Sequence, residues 1–98
     1  MNLEIKKNLA SNWFKTLQEA FCNDVCKLEK NKFKFKSNTW KRSTKKDEGG
    51  GEYRILQNGK VFDKVGVNFS KVYGKFPKQF QKNIPGAHKD PRFWASGI

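Results

Sequence analysis

The sequence predicts an α+β fold in which an amino-terminal helix is followed by antiparallel strands. Two patterns carry this prediction. Apolar residues recur at helical spacing from about Leu3 to Leu28, and two β-prone runs flank the turn signal Asn58-Gly59. No internal repeat or Pro/Ser-rich linker divides the 98 residues, so we expect residues 1–98 to form a single domain.

The first predicted element is a helix with one apolar stripe. Because its members lie three and four residues apart, we expect the stripe to pack against the sheet. A partner-binding helix would show the same spacing, and burial within the fold is the commoner outcome. The stripe consists of Leu9, Ala10, Trp13, Phe14, Leu17, Ala20, Phe21, Val25 and Leu28.

Two cysteines, Cys22 and Cys26, lie one helical turn apart on the flank away from the stripe. No third cysteine or nearby histidine completes a tetrahedral metal site with them, so no metal is predicted. A disulfide within the helix would be strained. The single histidine, His88, falls in a distant loop, which disfavours a Cys-His catalytic pair. We therefore expect two free thiols.

The composition describes a basic chain that still contains enough aromatic residues for a packed core. The formal net charge is +12 and the mean hydropathy is -0.88, while nine Phe and three Trp exclude a disordered tail. Glu4 and two lysines occupy the amino terminus where a signal peptide needs an apolar block. No stretch reaches membrane-spanning length. We expect a cytoplasmic protein with no membrane partner.

The central predicted element is a β-hairpin. Asn58-Gly59 accepts the positive φ angles that a two-residue type I′ turn needs at both central positions. Such a turn fixes which residues face each other across the hairpin. The predicted pairs are Leu56 with Val61, Ile55 with Phe62, and Arg54 with Asp63.

The strand after the turn is expected to continue to Tyr73. Asn68 and Ser70 share one of its faces, because alternate residues of a strand point the same way. They are candidates for lining a substrate pocket. A wetted sheet face has the same alternation, and the sequence leaves both interpretations open.

Residues 27–46 form the most basic part of the chain, with nine lysines and arginines against the single acid Glu29. Phe33, Phe35 and Trp40 alternate with these charges, which is typical of a nucleic-acid interface. Residues 32–36 equally predict a half-buried strand whose lysines protect a sheet edge. Lysines greatly outnumber arginines, although phosphate recognition makes heavy use of arginine, so nucleic acid is the disfavoured partner.

The carboxyl-terminal part predicts a loop or short helix after Gly74 and then a β-prone run over residues 92–98. This last strand has no evident pairing partner in the sequence. Unpaired edges attract further copies of themselves, so we expect a marginally stable chain that associates.

Several motifs together resemble the amino-terminal part of oxygen-dependent coproporphyrinogen III oxidases. They include Trp40-Lys41-Arg42, Gly49-Gly50-Gly51 and Gly66-Val67-Asn68-Phe69-Ser70. Ile84-Pro85-Gly86-Ala87 and residues 90–98 resemble the alphaproteobacterial members of that family. Further matches are Arg54, Leu56, Gly59, Val61, Phe62, Lys64, Val72 and Gly74, while Tyr53, Ile55 and Asp63 depart from the pattern.

The resemblance implies a large antiparallel sheet flanked by helices, of which this chain would be an incomplete piece, about the first third. It also implies a homodimer. The implied activity is oxidative decarboxylation of coproporphyrinogen III to protoporphyrinogen IX in haem biosynthesis, with dioxygen as co-substrate. The chain itself shows no cofactor motif.

The resemblance also implies site residues. The family's hairpin takes part in dimerisation, and Leu56, Gly59, Val61, Phe62 and Lys64 match it. The substrate-contacting serine of the family directly follows the position of Ile98, and its proton-donating histidine comes later. No catalytic residue is therefore expected within the chain, and His88 does not take that role. A small nucleic-acid-binding module and an inert gene remnant are the competing interpretations.

Overall fold

Helix α1 spans Leu3–Leu28, as the apolar spacing predicts, in a computed structural model that describes residues 2–98. Asn2 caps its amino terminus, because its side-chain oxygen accepts a hydrogen bond from the N–H of Ile5 at 2.9 Å. The helix stops at Glu29, after which Lys30 and Asn31 both adopt φ 57° and turn the chain sharply.

Four strands follow α1 and form one antiparallel sheet in the order β1-β2-β3-β4. The helix packs on one face of this sheet, against β3 and β4. The predicted α+β fold with antiparallel strands is confirmed. The elements after α1 are β1 (Lys36–Lys41), β2 (Gly49–Gln57), β3 (Lys64–Lys75), α2 (Lys78–Gln81) and β4 (Arg92–Gly97).

The face that α1 turns toward the sheet includes only part of the predicted apolar stripe. The buried residues of α1 are Ser11, Gln18 and Cys22. Gln18 donates from Nε2 to the backbone oxygens of Glu52 and Val67, at 2.9 Å each, and so ties the helix to two neighbouring strands. Leu9, Trp13, Phe21 and Leu28 are 50–59% exposed, and the prediction that these four face the core is wrong. The half-buried members of the stripe are Ala10, Phe14, Leu17 and Val25.

The β2–β3 hairpin is closed by a longer connection than the predicted two-residue turn. Leu56 pairs with Val65 instead of Val61, and the last pair is Gln57 with Lys64. The connection, here called loop 58–63, is closed by the Asn58 N–H, which donates to the oxygen of Asp63 at 2.7 Å. The predicted register is therefore wrong.

The last strand does have a partner within the chain. β4 pairs with β3, with Trp94 opposite Tyr73, so the expectation of an unpaired final strand is wrong. At the other edge, β1 begins only at Lys36, the last residue of the segment 32–36 that was predicted as a strand. Between these edges lies a small core that contains Leu56, Phe69 and Cys22. No helix within residues 2–98 is long and apolar enough to cross a membrane.

Candidate functional site

Loop 58–63 is held by the carboxylate of Glu29, which lies just past the end of α1. Oε1 accepts hydrogen bonds from the backbone N–H groups of Lys60, at 2.8 Å, and Val61, at 3.0 Å. Oε2 accepts from Val61, at 3.1 Å, and Phe62, at 2.9 Å. Only 2% of the Glu29 surface is exposed. A single side chain thus fixes the backbone of three successive loop residues.

Gly59 makes room for this carboxylate. A Cβ atom at position 59 would lie 2.1 Å from Oε2 of Glu29 and 2.8 Å from the oxygen of Phe62, which is closer than real Cβ atoms approach. The glycine is thus required by a close contact rather than by the I′ turn that the sequence suggested. Asn58, with φ 58°, carries the positive φ of the loop.

The ionisation of Glu29 follows from the same contacts. Burial raises the pKa of this carboxyl, but the backbone donors of Val61, Phe62 and Lys60 together outweigh burial. The pKa of Glu29 therefore lies below its usual range. The loop binds a charged carboxylate at neutral pH.

The five residues predicted for dimerisation differ in how accessible they are to a partner. Leu56 has no exposed surface and packs in the core. Val61 is 57% exposed, Phe62 is half-buried, and Lys64 is exposed at the start of β3. Gly59 is half-buried against Glu29. Loop 58–63 therefore presents Val61 to solvent, and Phe62 in part, whereas Leu56 is not accessible to a partner.

Glu29 itself was missed by the sequence analysis, which noted it only as the one acid in a basic stretch. Its partners are 31–33 residues further along the chain, so no local pattern indicates the contact. The only local signal is its position, because an acidic side chain at the carboxyl end of a helix is unfavourable there without a further partner.

Asn68 and Ser70 lie on the sheet face opposite α1. The neighbouring Phe69 points toward the helix, where the ammonium of Lys15 lies 5.5 Å from the centre of its ring. Asn68 is exposed, and the backbone oxygen of Ser70 accepts a hydrogen bond from the hydroxyl of Ser96 at 2.8 Å. Their role in a substrate pocket stays a prediction, since the two clefts described next are lined by neither residue.

A basic cleft of about 620 Å³ lies between α1, the β1–β2 connection and the glycine-rich start of β2. Two acids, Asp47 and Glu52, also line this cleft. Asp47 accepts hydrogen bonds from the Tyr73 hydroxyl and the Gly49 N–H, which lower the pKa of Asp47. The cleft is lined by Lys15, Lys41, Lys45, Lys46, Lys71, Trp40, Phe69 and Tyr73, together with smaller residues and Glu52.

A second cleft, of about 960 Å³, lies beside the first turns of α1 and shares Lys71 and Tyr73 with the basic cleft. Trp94 forms part of its wall, with the ammonium of Lys7 5.9 Å from the ring centre. Arg92 lies at the rim and pairs with Asp90 at 2.8 Å.

The basic stretch, residues 27–46, is spread over the end of α1, a turn and β1 rather than gathered on one face. Its aromatic residues are partly enclosed: Phe33 and Phe35 are half-buried, and the Phe33 oxygen accepts a contact from Cys26 Sγ at 3.7 Å. Trp40 lies against Gly51, where a Cβ atom would come within 3.0 Å of its ring. The stretch thus offers few free rings on which bases would stack.

The two cysteines are free thiols on the sheet side of α1. Cys22 is buried, and burial raises its pKa above the ordinary value, so the thiol is protonated at neutral pH. Across residues 2–98, no three His, Cys, Asp or Glu side chains cluster as a metal ion would need.

The sequence matches a known protein family and several curated proteins. The sequence pattern of the family described as Coproporphyrinogen III oxidase matches residues 9–98. The chain belongs to that family. The matched range includes most of α1, Glu29, loop 58–63 and all four strands.

Among the curated relatives of the chain are Rickettsia proteins named oxygen-dependent coproporphyrinogen-III oxidase. The Rickettsia felis protein is 40% identical over 94% of this chain and 34% of its own length. The Rickettsia bellii protein is 42% identical over 95% of this chain and 36% of its own length. The chain therefore spans about a third of the length of the coproporphyrinogen oxidases it matches. No solved structure matches it.

Proposed function

We propose that this chain forms the amino-terminal part of an oxygen-dependent coproporphyrinogen III oxidase. The match of the family over residues 9–98 carries the proposal. The reaction converts two propionates of coproporphyrinogen III to vinyl groups with dioxygen as the oxidant. This coproporphyrinogen oxidase segment contributes sheet, helix and loop 58–63, and residues 1–98 form a domain that the remaining two thirds of the relatives' length would extend.

The enzymatic proposal has a direct test in a chimaera. Residues of the Rickettsia felis relative that match this chain are replaced by residues 1–98, and the chimaera is supplied with coproporphyrinogen III under air. We expect protoporphyrinogen IX to form, with kcat/KM within about tenfold of the parent enzyme, a difference of about 1.4 kcal/mol in the barrier.

The matched controls are the 98-residue chain alone and the chimaera under argon, neither of which should form product. A chimaera that folds and assembles like the parent but leaves coproporphyrinogen III unchanged would contradict the proposal. Product from the 98-residue chain alone would contradict the expectation that the catalytic groups lie outside it.

We further propose that two copies of the chain associate through loop 58–63. The support is geometric, because Val61 is an apolar side chain left 57% exposed on a loop whose backbone is fixed. Lys60, Asp63 and Lys64 surround it with exposed charges of both signs. Two copies related by a twofold axis bring each patch against its own equivalent, so lysine of one copy can meet aspartate of the other.

The dimer proposal is tested by substituting the exposed apolar residue. Val61→Lys places a charge in the contact and should lower the dimer fraction in sedimentation velocity, and Phe62→Lys should do the same. Lys60→Glu, at the polar rim, should change it little, since rim charges act mainly on association rate. Equal dimer fractions for all four proteins would contradict this interface.

The cytoplasm is the location we propose for the chain. The two free thiols, Cys22 and Cys26, support it, because a reducing compartment keeps cysteines in that state.

A further inference from the structure

Four locally unfavourable features meet at Glu29. Its negative charge lies at the carboxyl end of α1, where the helix dipole favours a cation. Glu29 is a charged residue in a buried position, with only 2% of its surface exposed. Lys30 and Asn31 follow with positive φ, and Gly59 cannot carry a side chain. Such departures from local preference concentrate where a structure serves function.

The contact acts on the interior of loop 58–63 and not on its closure. The β2–β3 ladder already ends in the pair Gln57 with Lys64, and the Asn58 N–H donates to Asp63 within the loop. Glu29 instead binds the three N–H groups at positions 60–62, which no strand pairing engages. The hairpin would therefore still close without Glu29, while the backbone that carries Val61 would be free.

We propose that Glu29 is a positioning residue for the subunit interface. By accepting the N–H groups of Lys60, Val61 and Phe62, it fixes the conformation in which Val61 and Phe62 meet a second copy of this chain. The inference rests on the proposed dimer. It adds an explanation of how the interface is shaped. Glu29, which lies outside the hairpin, sets the loop conformation without itself contacting the second copy.

The experiment compares Glu29→Gln with Glu19→Gln in the 98-residue chain. Gln keeps the size of the side chain but removes its charge and one acceptor. Glu19 is an exposed glutamate on the same helix, so its substitution is a matched control. Two quantities are measured: the hydrogen-exchange rates of the amides at 60–62 and the dimer dissociation constant by sedimentation. Circular dichroism checks that the helix content is retained.

We expect Glu29→Gln to speed exchange at the three amides and to raise the dissociation constant about tenfold or more, while Glu19→Gln stays within about twofold. In a Val61→Lys background, Glu29→Gln should have no further effect on the dimer, because both changes then act on the same contact. That non-additivity separates positioning from general loss of stability.

The possible failures are distinguishable. Faster exchange with an unchanged dissociation constant, or unchanged exchange at 60–62, would overturn the positioning role and leave the proposed dimer standing. Additive effects of Glu29→Gln and Val61→Lys on the dissociation constant would also overturn it. A parent chain that stays monomeric would overturn the dimer and this inference together, without touching the enzymatic proposal tested by the chimaera.

Discussion

The two connections that join neighbouring strands on either side of β2 are stabilised in opposite ways. Loop 58–63 is held by one buried carboxylate from a distant helix. Residues 42–48, between β1 and β2, are held by Tyr73 of β3 and by partly exposed ion pairs, in which Arg42 Nη1 contacts Glu48 Oε2 at 2.8 Å and Lys46 Nζ contacts Glu48 Oε1 at 3.8 Å.

The two connections differ in how much their contacts are expected to contribute to the free energy of unfolding. Exposed ion pairs contribute little, because water and salt screen them and both side chains lose freedom. A buried carboxylate such as Glu29 that loses its donors is left unsatisfied, which destabilises a fold much more. We therefore expect loop 58–63 to respond strongly to single substitutions and the β1–β2 connection to respond weakly.

The largest expected effect comes from filling the space beside Glu29. Gly59→Ala forces Cβ against the carboxylate and the Phe62 oxygen, and should lower the free energy of unfolding by about 2–3 kcal/mol, as overpacking does. Gly66→Ala is the matched control, because nothing lies within 4 Å of a Cβ there. It should change stability by less than about 1 kcal/mol. Urea unfolding gives both values, and equal losses would show that the Glu29 contact does not restrict position 59.

The next effect is a dependence on pH. The pKa of Glu29 is lowered in the folded chain, so its charged contacts add stability above the pKa of an unfolded glutamate. That contribution is lost as the pH falls from the unfolded pKa through the lower, folded one. The protection factor of the Phe62 amide, which corrects its exchange rate for the rate of an unstructured amide at the same pH, should therefore fall in acid.

Glu29→Gln should abolish this acid step at Phe62. The Gly49 amide, which donates to Asp47, should keep its own acid response in that variant, because the pKa of Asp47 is lowered independently by Tyr73 and Gly49. An acid step at Phe62 that survives in Glu29→Gln would assign the titration to another group.

The smallest effect is expected at the β1–β2 connection. Arg42→Gln removes the exposed pair with Glu48 and a donor to the Tyr73 oxygen, at 3.0 Å. The free energy of unfolding should fall by about 0.5–1 kcal/mol, and less at high salt. A loss as large as that of Gly59→Ala would remove the contrast between the two connections.

The limits of α1 follow from the sequence, whereas its rotation on the sheet does not. Local spacing and the Asn2 cap determine where the helix starts and how far it runs. The face that it buries includes Gln18, whose acceptors belong to Glu52 and Val67 far along the chain. No local spacing indicates such a contact, so the sequence predicts the helix but not which of its polar residues lies against the sheet.

The same reason explains the hairpin. Asn58-Gly59 has the composition of a two-residue turn, and Asn58 does adopt positive φ. The register nevertheless differs, because the ladder ends at Gln57 and Lys64 and leaves residues 58–63 as a loop, whose backbone at 60–62 binds Glu29. In the candidate site, the family resemblance predicted that Val61 and Gly59 belong to an interface. It did not predict Glu29, the residue that connects them to α1.

The exposed part of the apolar stripe contains a tryptophan whose fluorescence reports whether this flank of α1 is covered. Trp13 is 59% exposed on that flank, whereas Trp40 and Trp94 are half-buried against the sheet. Fluorescence from a solvated indole is emitted at longer wavelength and is quenched readily by acrylamide. A partner that covers this flank of α1 should therefore shift the Trp13 emission to the blue and protect it from acrylamide, while association through loop 58–63 should not. Comparing the spectra of the parent chain and Trp13→Phe before and after association isolates this contribution from those of Trp40 and Trp94.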